Sequence, residues 1–374
     1  MKFRVSSTRL LVQLQTLSRV VSTKNTLAIL NDFLFNIEGN YLTITSSDSE
    51  TTMITTIEIE NLEGDGRFCV GARLLTDTLK EFSEQLLEFT IDNDNLGILL
   101  RSDYGEYKFV GENADQYPNM PEVEAENRQF SIPASTLLNG INRTIFATAD
   151  DEIRPVMNGV DIDLNEQSVT FVATDAHKLV RYISNSAHLD EPHSFILPKK
   201  PAMLLRNILP KEEDNVEVTF DSKKVCFQLP ATTVICLQVE GRYPNYNTVI
   251  PQSNSHCVVV DRLSLLNALR RVQVFSNQGN SLVKLALSEN QIVVSAQDIN
   301  FSTSAEERVP CQYNQEPMNI GFKSVFLIEI LANIDATDVR LEIEDPSRAG
   351  LILPNEAVEG ESLLMLLMPM LLND

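Results

Sequence analysis

A chain of 374 residues, 43% of them hydrophobic, has room for two or three domains of ordinary size, each with its own core. A net charge of −22 sets the surface as a whole against phosphate at long range, so any nucleic-acid contact has to come from a local concentration of cations. The five cysteines, Cys69, Cys226, Cys236, Cys257 and Cys311, include no C-x-x-C pair, which argues against zinc or thiol redox chemistry and favours reduced core thiols in a cytosolic protein.

Met1-Lys-Phe-Arg enters a strand directly, without an apolar signal core. From Phe3 to Val21 the pattern is a short strand feeding a helix. Strand-like runs follow at Leu27 to Ile37, Tyr41 to Thr45 and Thr52 to Ile59, the last alternating as a strand with one buried face does. The unit then repeats: Arg67 to Val70 reads as a strand and Arg73 to Phe82 as a helix with Leu74, Leu75 and Leu79 on one side. Strands at Leu87 to Asp92, Leu96 to Arg101 and Tyr107 to Val110 complete it.

The opening strand and helix return at Phe130 to Phe146 and at Val258 to Phe275, with Leu-Leu pairs at 10 and 11, 137 and 138, and 265 and 266. The second strand and helix return at Phe195 to Leu209 and Asn319 to Leu331; Pro201 is tolerable in a first helical turn, where its missing N–H has no partner to lose. Offsets of 127 and 128 residues make the repeat a whole domain. Gln116 to Pro121 and Gly241 to Tyr246, both carrying Tyr-Pro-Asn, read as linkers. The expected domains are 1–124, 125–250 and 251–374, each with two helices gathered on one face of antiparallel sheets: an α+β chain.

Val172-Ala-Thr-Asp-Ala-His-Lys-Leu179 is the most enzyme-like cluster, since Asp175 and His177 have the makings of an acid–base pair for a hydrolase or transferase. The repeats offer a different reading. Asp48, Asp175 and Asp298 hold the same place after a strand in the three copies, as expected of an Asp that bonds the turn backbone, whereas His177 has no counterpart. Gly64-Asp-Gly66 lacks the Lys-Ser/Thr of a phosphate-binding loop. No catalytic, metal or cofactor site is assigned.

Acidic residues are absent from four segments, 2–31, 127–149, 193–211 and 262–288. These 99 residues carry 15 Lys and Arg, where even spreading of the acids would have placed about 14 of them. All four segments lie on strand-plus-helix elements, so equivalent modules would share a basic helical face, which neutralises phosphates without reading bases. The alternative is that these are ordinary solvated helix faces; the two remaining helices, with Asp77, Glu81 and Glu84 near one and Glu329 in the other, follow the pattern less well.

The tail Leu363 to Leu372 is more apolar than one alternating strand needs, and its methionines suit varied partners. With Pro369 inside it, it is too short to span a bilayer, so a soluble, cytoplasmic protein with no membrane partner is expected.

Three modules with paired helices, Val-Ala-Thr-Asp-x-His-x-Leu at 172–179, Gly-Arg-Tyr-Pro-Asn-Tyr at 241–246, Ser276-Asn277 and the terminal Met-Pro-Met together resemble the bacterial β sliding clamp family over the full chain. That resemblance implies the non-catalytic processivity subunit of DNA polymerase III. It would be a head-to-tail homodimer closing as a ring of six domains, with helices lining a hole for duplex DNA of any sequence. The DNA-facing residues it implies are Lys24, Arg73, Arg143, Lys199, Lys200, Arg270 and Arg271.

The family also binds short linear peptides of the clamp loader, the replicative polymerase and repair proteins in a pocket between domains 2 and 3. Matching positions are Met157, Thr174, His177, Leu179, Pro244 and Val249, together with Phe326, Leu367, Met368, Pro369 and Met370. Departures from the family pattern are Ala176 for glycine, Lys178 for arginine, Thr248 for arginine, and the extension Leu371 to Asp374. Dimer contacts implied by the resemblance pair Tyr107 and Phe109 with Val274 and Phe275 of the partner. A scaffold of repeated β domains without DNA is a further competing class.

Overall fold

The computed structural model describes residues 1–22, 24–119, 123 and 128–372. Six α-helices of eight residues or more occur among them: α1 Ser7–Leu17, α2 Ala72–Lys80, α3 Ala134–Thr144, α4 Lys199–Ile208, α5 Arg262–Val272 and α6 Ser324–Ala332. Each begins on the residue after a strand, so the strand-then-helix module is built six times. Leu10, Leu14 and Leu17 bury one stripe of α1, and Leu265, Leu269 and Val272 do the same for α5. Ser6 caps α1 by accepting from the Arg9 amide, and Asp261 caps α5 by accepting from the Ser264 amide.

Two compact units result, Met1–Ser135 with Met203–Gln238 and Thr136–Ala202 with Val239–Asp374. The first holds a five-stranded sheet, in the order Glu60–Glu63, Lys2–Ser6, Leu86–Ile91, Gly97–Arg101, Glu106–Val110, and an eight-stranded one. In the eight-stranded sheet Thr232–Leu237 pairs with Thr51–Glu58, Val234 opposite Met53, joining strands far apart in sequence. The second unit holds a twelve-stranded sheet in which Lys178–Ser184 pairs with Glu361–Leu367. All of these pairings are antiparallel, as the short strands and tight turns implied.

The expected boundary at 124/125 lies outside the described residues, as do Met120 and Pro121 of the first linker and Asn373 and Asp374 of the tail. The boundary at 250/251 falls within the second unit, because one sheet runs on through it.

Local differences from the sequence reading have simple causes. Ala28–Asn31 is a 3₁₀ turn, and the strand expected from Leu27 starts at Asp32. Glu60–Glu63 is a strand that its polar composition hid; it sits at a sheet edge, where solvent takes its side chains. Cys69 and Cys236 are buried, but Cys257 is exposed, because strand alternation gives the inner face to Val258 and Val260.

Gly140 in α3 sits against Phe171: a Cβ there would lie 2.5 Å from a ring carbon. Phe171 is fully buried and cannot retreat without opening a void. Gly140→Ala, which in an open helix gains about 1 kcal/mol, is therefore expected to cost about 1–3 kcal/mol here through overpacking. Urea denaturation checks this; a midpoint at or above that of the parent protein would show that the helix shifts freely.

Candidate functional site

Strands Val169–Thr174 and Lys178–Ser184 meet in a tight turn whose backbone is tied by side chains. Asp175 Oδ1 accepts from the amides of His177 and Lys178, both at 2.9 Å, and its Oδ2 accepts from Lys178 Nζ at 2.7 Å. Asp48 does the same for the Glu50 and Thr51 amides, and Asp298 for Asn300. Burial raises the Asp175 carboxyl, but the bonds from Lys178 and the two amides outweigh it and leave the group below the usual carboxylate value. The acid–base reading of Asp175 and His177 is thereby overturned: both carboxylate oxygens are spent on the turn and Lys178, and the His177 ring goes elsewhere. Ala176 holds φ +73°, a left-handed conformation that strains any residue with a Cβ.

The His177 ring stacks on Phe326 of α6, with centroids 5.7 Å apart and planes at 22°. Lys178, only 5% exposed, reaches Glu329 of the same helix at 3.1 Å and stands 4.4 Å from the Phe326 ring centre. Lys323 Nζ lies 4.8 Å from that centre. Past the strand Glu361–Leu367 the tail runs along this cluster: the Met368 amide donates to His177 O at 2.9 Å, and the Met370 amide to Gly321 O at 2.8 Å. Gly321 is required there, because a Cβ would come 2.7 Å from Met370 O. The expected residues His177, Phe326, Met368, Pro369 and Met370 thus form one exposed to half-buried surface.

Beside it lies an apolar face built from Val172, Leu179, Ile196, Tyr243, Ile250, Leu351, Leu364 and Leu366, against which Val156 and Tyr246 also pack. Met157 and Pro244 are half-buried, neighbours in sequence of Val156 and Tyr243, and Val249 is 54% exposed. Thr174 and Leu367 are buried and support the surface from beneath; the Thr174 hydroxyl donates to Lys178 O.

Sequence reasoning missed Lys323, Glu329 and Asp161 here, since none is near the turn in sequence. Asp161 occupies one rung of the sheet with Ile196, Val172, Arg181 and Leu364. It is 4% exposed, its Oδ1 has no partner among the described residues, and burial, with Asp163 adding, pushes its carboxyl up to about 7.

The expected DNA-facing cations divide into two groups. Lys24, Arg73, Lys199 and Arg270 are exposed, Arg73 lying 3.7 Å from Asp77, and Lys200 is half-buried. Arg143 is half-buried and engaged by its neighbours, bonded to Glu361 at 2.8 Å and stacked 4.6 Å from the Tyr182 ring centre. It lines a cleft of about 270 Å³ with Arg340, Asp338 and Glu361, which none of the expected peptide residues enters. Arg271 makes a two-armed bond to Glu307, both arms at 2.7 Å.

For the dimer contacts, Glu106–Val110 is an edge strand, paired among the described residues with Gly97–Arg101 alone, and Tyr107 packs edge-on against Phe82. Phe109 is half-buried, Val274 is 76% exposed, and Phe275 is 40% exposed on the turn after α5. Among the described residues no group of three or more His, Cys, Asp or Glu could hold a metal, and no helix is long and apolar enough to cross a membrane.

Three domain families match in succession: the N-terminal, central and C-terminal domains of the DNA polymerase III beta subunit, at residues 1–121, 131–245 and 247–370. The chain is 28% identical to the beta sliding clamp of Haemophilus influenzae over 371 residues, covering 99% of this chain and all of that one. A DNA polymerase sliding clamp from Pseudomonas aeruginosa, solved with a ligand, superposes with a TM-score of 0.94 at 26% identity over the whole of both chains. A DnaN sliding clamp of the same organism bound to griselimycin gives the same values.

Asp161 has a consequence for stability. Unfolded, its carboxyl returns to about 3.8; folded, it keeps its proton to about 7. The folded state therefore holds one proton more between these values, and stability falls as pH rises from about 4 to about 7. Asp161→Asn is expected to flatten that part of the pH profile and to be the more stable form at pH values above it, measured by thermal unfolding across the range. An unchanged slope would show that the carboxyl is not titrating in the folded protein.

Proposed function

This chain belongs to the DNA polymerase III beta subunit family, and from that we propose that it is a DNA sliding clamp, the non-catalytic processivity subunit of a replicative polymerase. Two copies close head to tail as a ring of six domains, 1–124, 125–250 and 251–374 in each, around duplex DNA in the cytoplasm. The observation that carries this is the segregation of charge: an acidic chain of net charge −22 keeps four acid-free, basic segments on its strand-and-helix repeats, with Lys24, Lys199, Arg206 and Arg270 exposed on them.

Such cations neutralise phosphates without fixing register on a sequence, while the acidic remainder discourages side-on binding. Because a closed ring holds DNA by topology, each contact can be weak and rapidly exchanged. Lys24, Arg73, Lys199, Lys200 and Arg270 make these contacts. Arg143 and Arg271 join them where phosphate displaces Glu361 or Glu307. Ring closure sets the edge strand Glu106–Val110, with Tyr107 and Phe109, against the partner's Val274 and Phe275, covering the exposed edge with an apolar turn.

The surface of His177, Phe326 and Met368 to Met370, with the apolar face around Leu179, Pro244 and Val249, takes short linear peptides of the replicative polymerase, the clamp loader and repair proteins. Thioether and aromatic side chains adapt to different apolar residues at little cost.

Loaded onto a nicked circular plasmid, the protein is expected to co-elute with DNA on gel filtration and to be lost once the plasmid is linearised. Lys199→Glu with Arg270→Glu should reduce loading several-fold, more so at low salt. Equal retention on circular and linear DNA would overturn the ring. Deleting Met368 to Asp374 should abolish the heat of griselimycin binding in calorimetry while leaving the dimer in sedimentation; unchanged binding would overturn the peptide site.

A further inference from the structure

Residues 239–250 run between the strands Thr232–Leu237 and His256–Asp261 and lie across one face of the twelve-stranded sheet. Tyr243 and Ile250 are buried there, with Val239 and Tyr246 alongside, against Val172, Ile196, Leu364 and Leu366. The Val239 amide donates to Ile196 O at 3.0 Å, and the Tyr246 hydroxyl donates to Asp163 Oδ2 at 3.3 Å. This segment is a cover made of a few apolar side chains.

Two acids lie under it. Asp161 and Asp163, two apart on the strand Gly159–Leu164, point to the same face. The rung of Asp161 holds Ile196 and Val172 beside it, then Arg181 and Leu364. Asp161 Oδ1 and Arg181 Nε are both buried and, among the described residues, unpartnered, so the cation across Val172 does not answer the carboxyl. Besides Arg181 and Asp163, the titratable groups facing Asp161 are the phenols of Tyr243 and Tyr246. Burial raises both phenols, Tyr246 up to about 12, so they stay neutral while the carboxyls titrate. Glu240 and Arg242 of the cover are exposed, and Asp175 is tied to its own turn.

We propose that residues 239–250 are a proton-controlled cover: with Asp161 protonated they stay closed over the sheet, and its ionisation favours lifting them, which brings water to the carboxylate. An ionised Asp161 under a closed cover sits in an apolar face beside Asp163, with no donor and no water to answer its charge. Lifting Tyr243 and Tyr246 relieves both costs, and the ladder of Asp161 with Val172 and Ile196 is left intact. Gly241, at φ +122°, gives the cover a point where no Cβ restrains the backbone. Closed, Asp161 keeps its proton to about 7; opened to water, its carboxyl returns toward 3.8. Opening therefore becomes more favourable as pH rises between these values and levels off above them.

The test is hydrogen exchange of the full-length protein, corrected for the intrinsic pH dependence of exchange. It compares the amides of Val239, Thr248 and Val249, which are bonded in the closed cover, with those of the strand Val169–Thr174 beneath. From about pH 5 to about pH 7, protection of the cover is expected to fall several-fold per pH unit, about tenfold at most, while the strand stays protected. Asp161→Asn should hold the cover at the protection the parent shows at the acidic end. Asp163→Asn should keep the fall and bring its plateau to lower pH, because the like charge is gone. A flat profile in the parent protein overturns the cover, as does a fall that survives in Asp161→Asn, which places the proton elsewhere. Equal loss of protection in Val169–Thr174 overturns it too, since Asp161 then acts by unfolding the sheet and not by lifting the cover.

Discussion

One strand pairing decides where the chemistry of the second unit ends up. Lys178–Ser184 and Glu361–Leu367 run antiparallel with Lys178 opposite Leu367 and Ser184 opposite Glu361. Because side chains alternate, a slip by one residue would turn Leu364 and Leu366 away from the apolar face they share with Leu179. The register therefore has a large hydrophobic stake, and it delivers the Met368 amide to His177 O. Phe326, Lys323 and the Met-Pro-Met tail meet only because that pairing, and the bridge of Met370 to Gly321, hold.

The same unit shows how polar groups are accommodated when a sheet face is buried. Asp175 is satisfied by two amides and an ammonium, and it shapes a turn. Asp161, on the neighbouring strand of the same sheet, has no such partner for Oδ1 among the described residues and holds its proton to about pH 7. Both carboxyls are largely or wholly removed from water, and the presence or absence of donors moves their pKa values in opposite directions.

Electrostatics divides the cations in a comparable way. Lys24, Lys199 and Arg270 remain exposed on an acidic protein and are available to an anionic polymer, whereas Arg143 is drawn into Glu361 and Tyr182. Helix phase separates them: Arg143 falls on the flank that packs against the sheet, and Arg270 on the flank opposite Leu265, Leu269 and Val272. A count of basic residues per segment does not see that distinction, since it depends on which flank each neighbour covers.

The sequence by itself determined the threefold repeat, the six strand-and-helix modules and the antiparallel α+β class, because each is encoded in periodicities only a few residues long. The Asp at 48, 175 and 298 was legible for the same reason: its bonds reach two or three residues along the chain. Tertiary structure alone decided that Glu329 neutralises Lys178, that the Met-Pro-Met tail reaches His177 and Gly321, that Asp161 is buried on one rung with Val172, Ile196 and Leu364, and that Arg143 is engaged by Glu361. These contacts join residues brought together by the register of distant strands, and that register follows from the summed burial of many side chains, which no local stretch of sequence records.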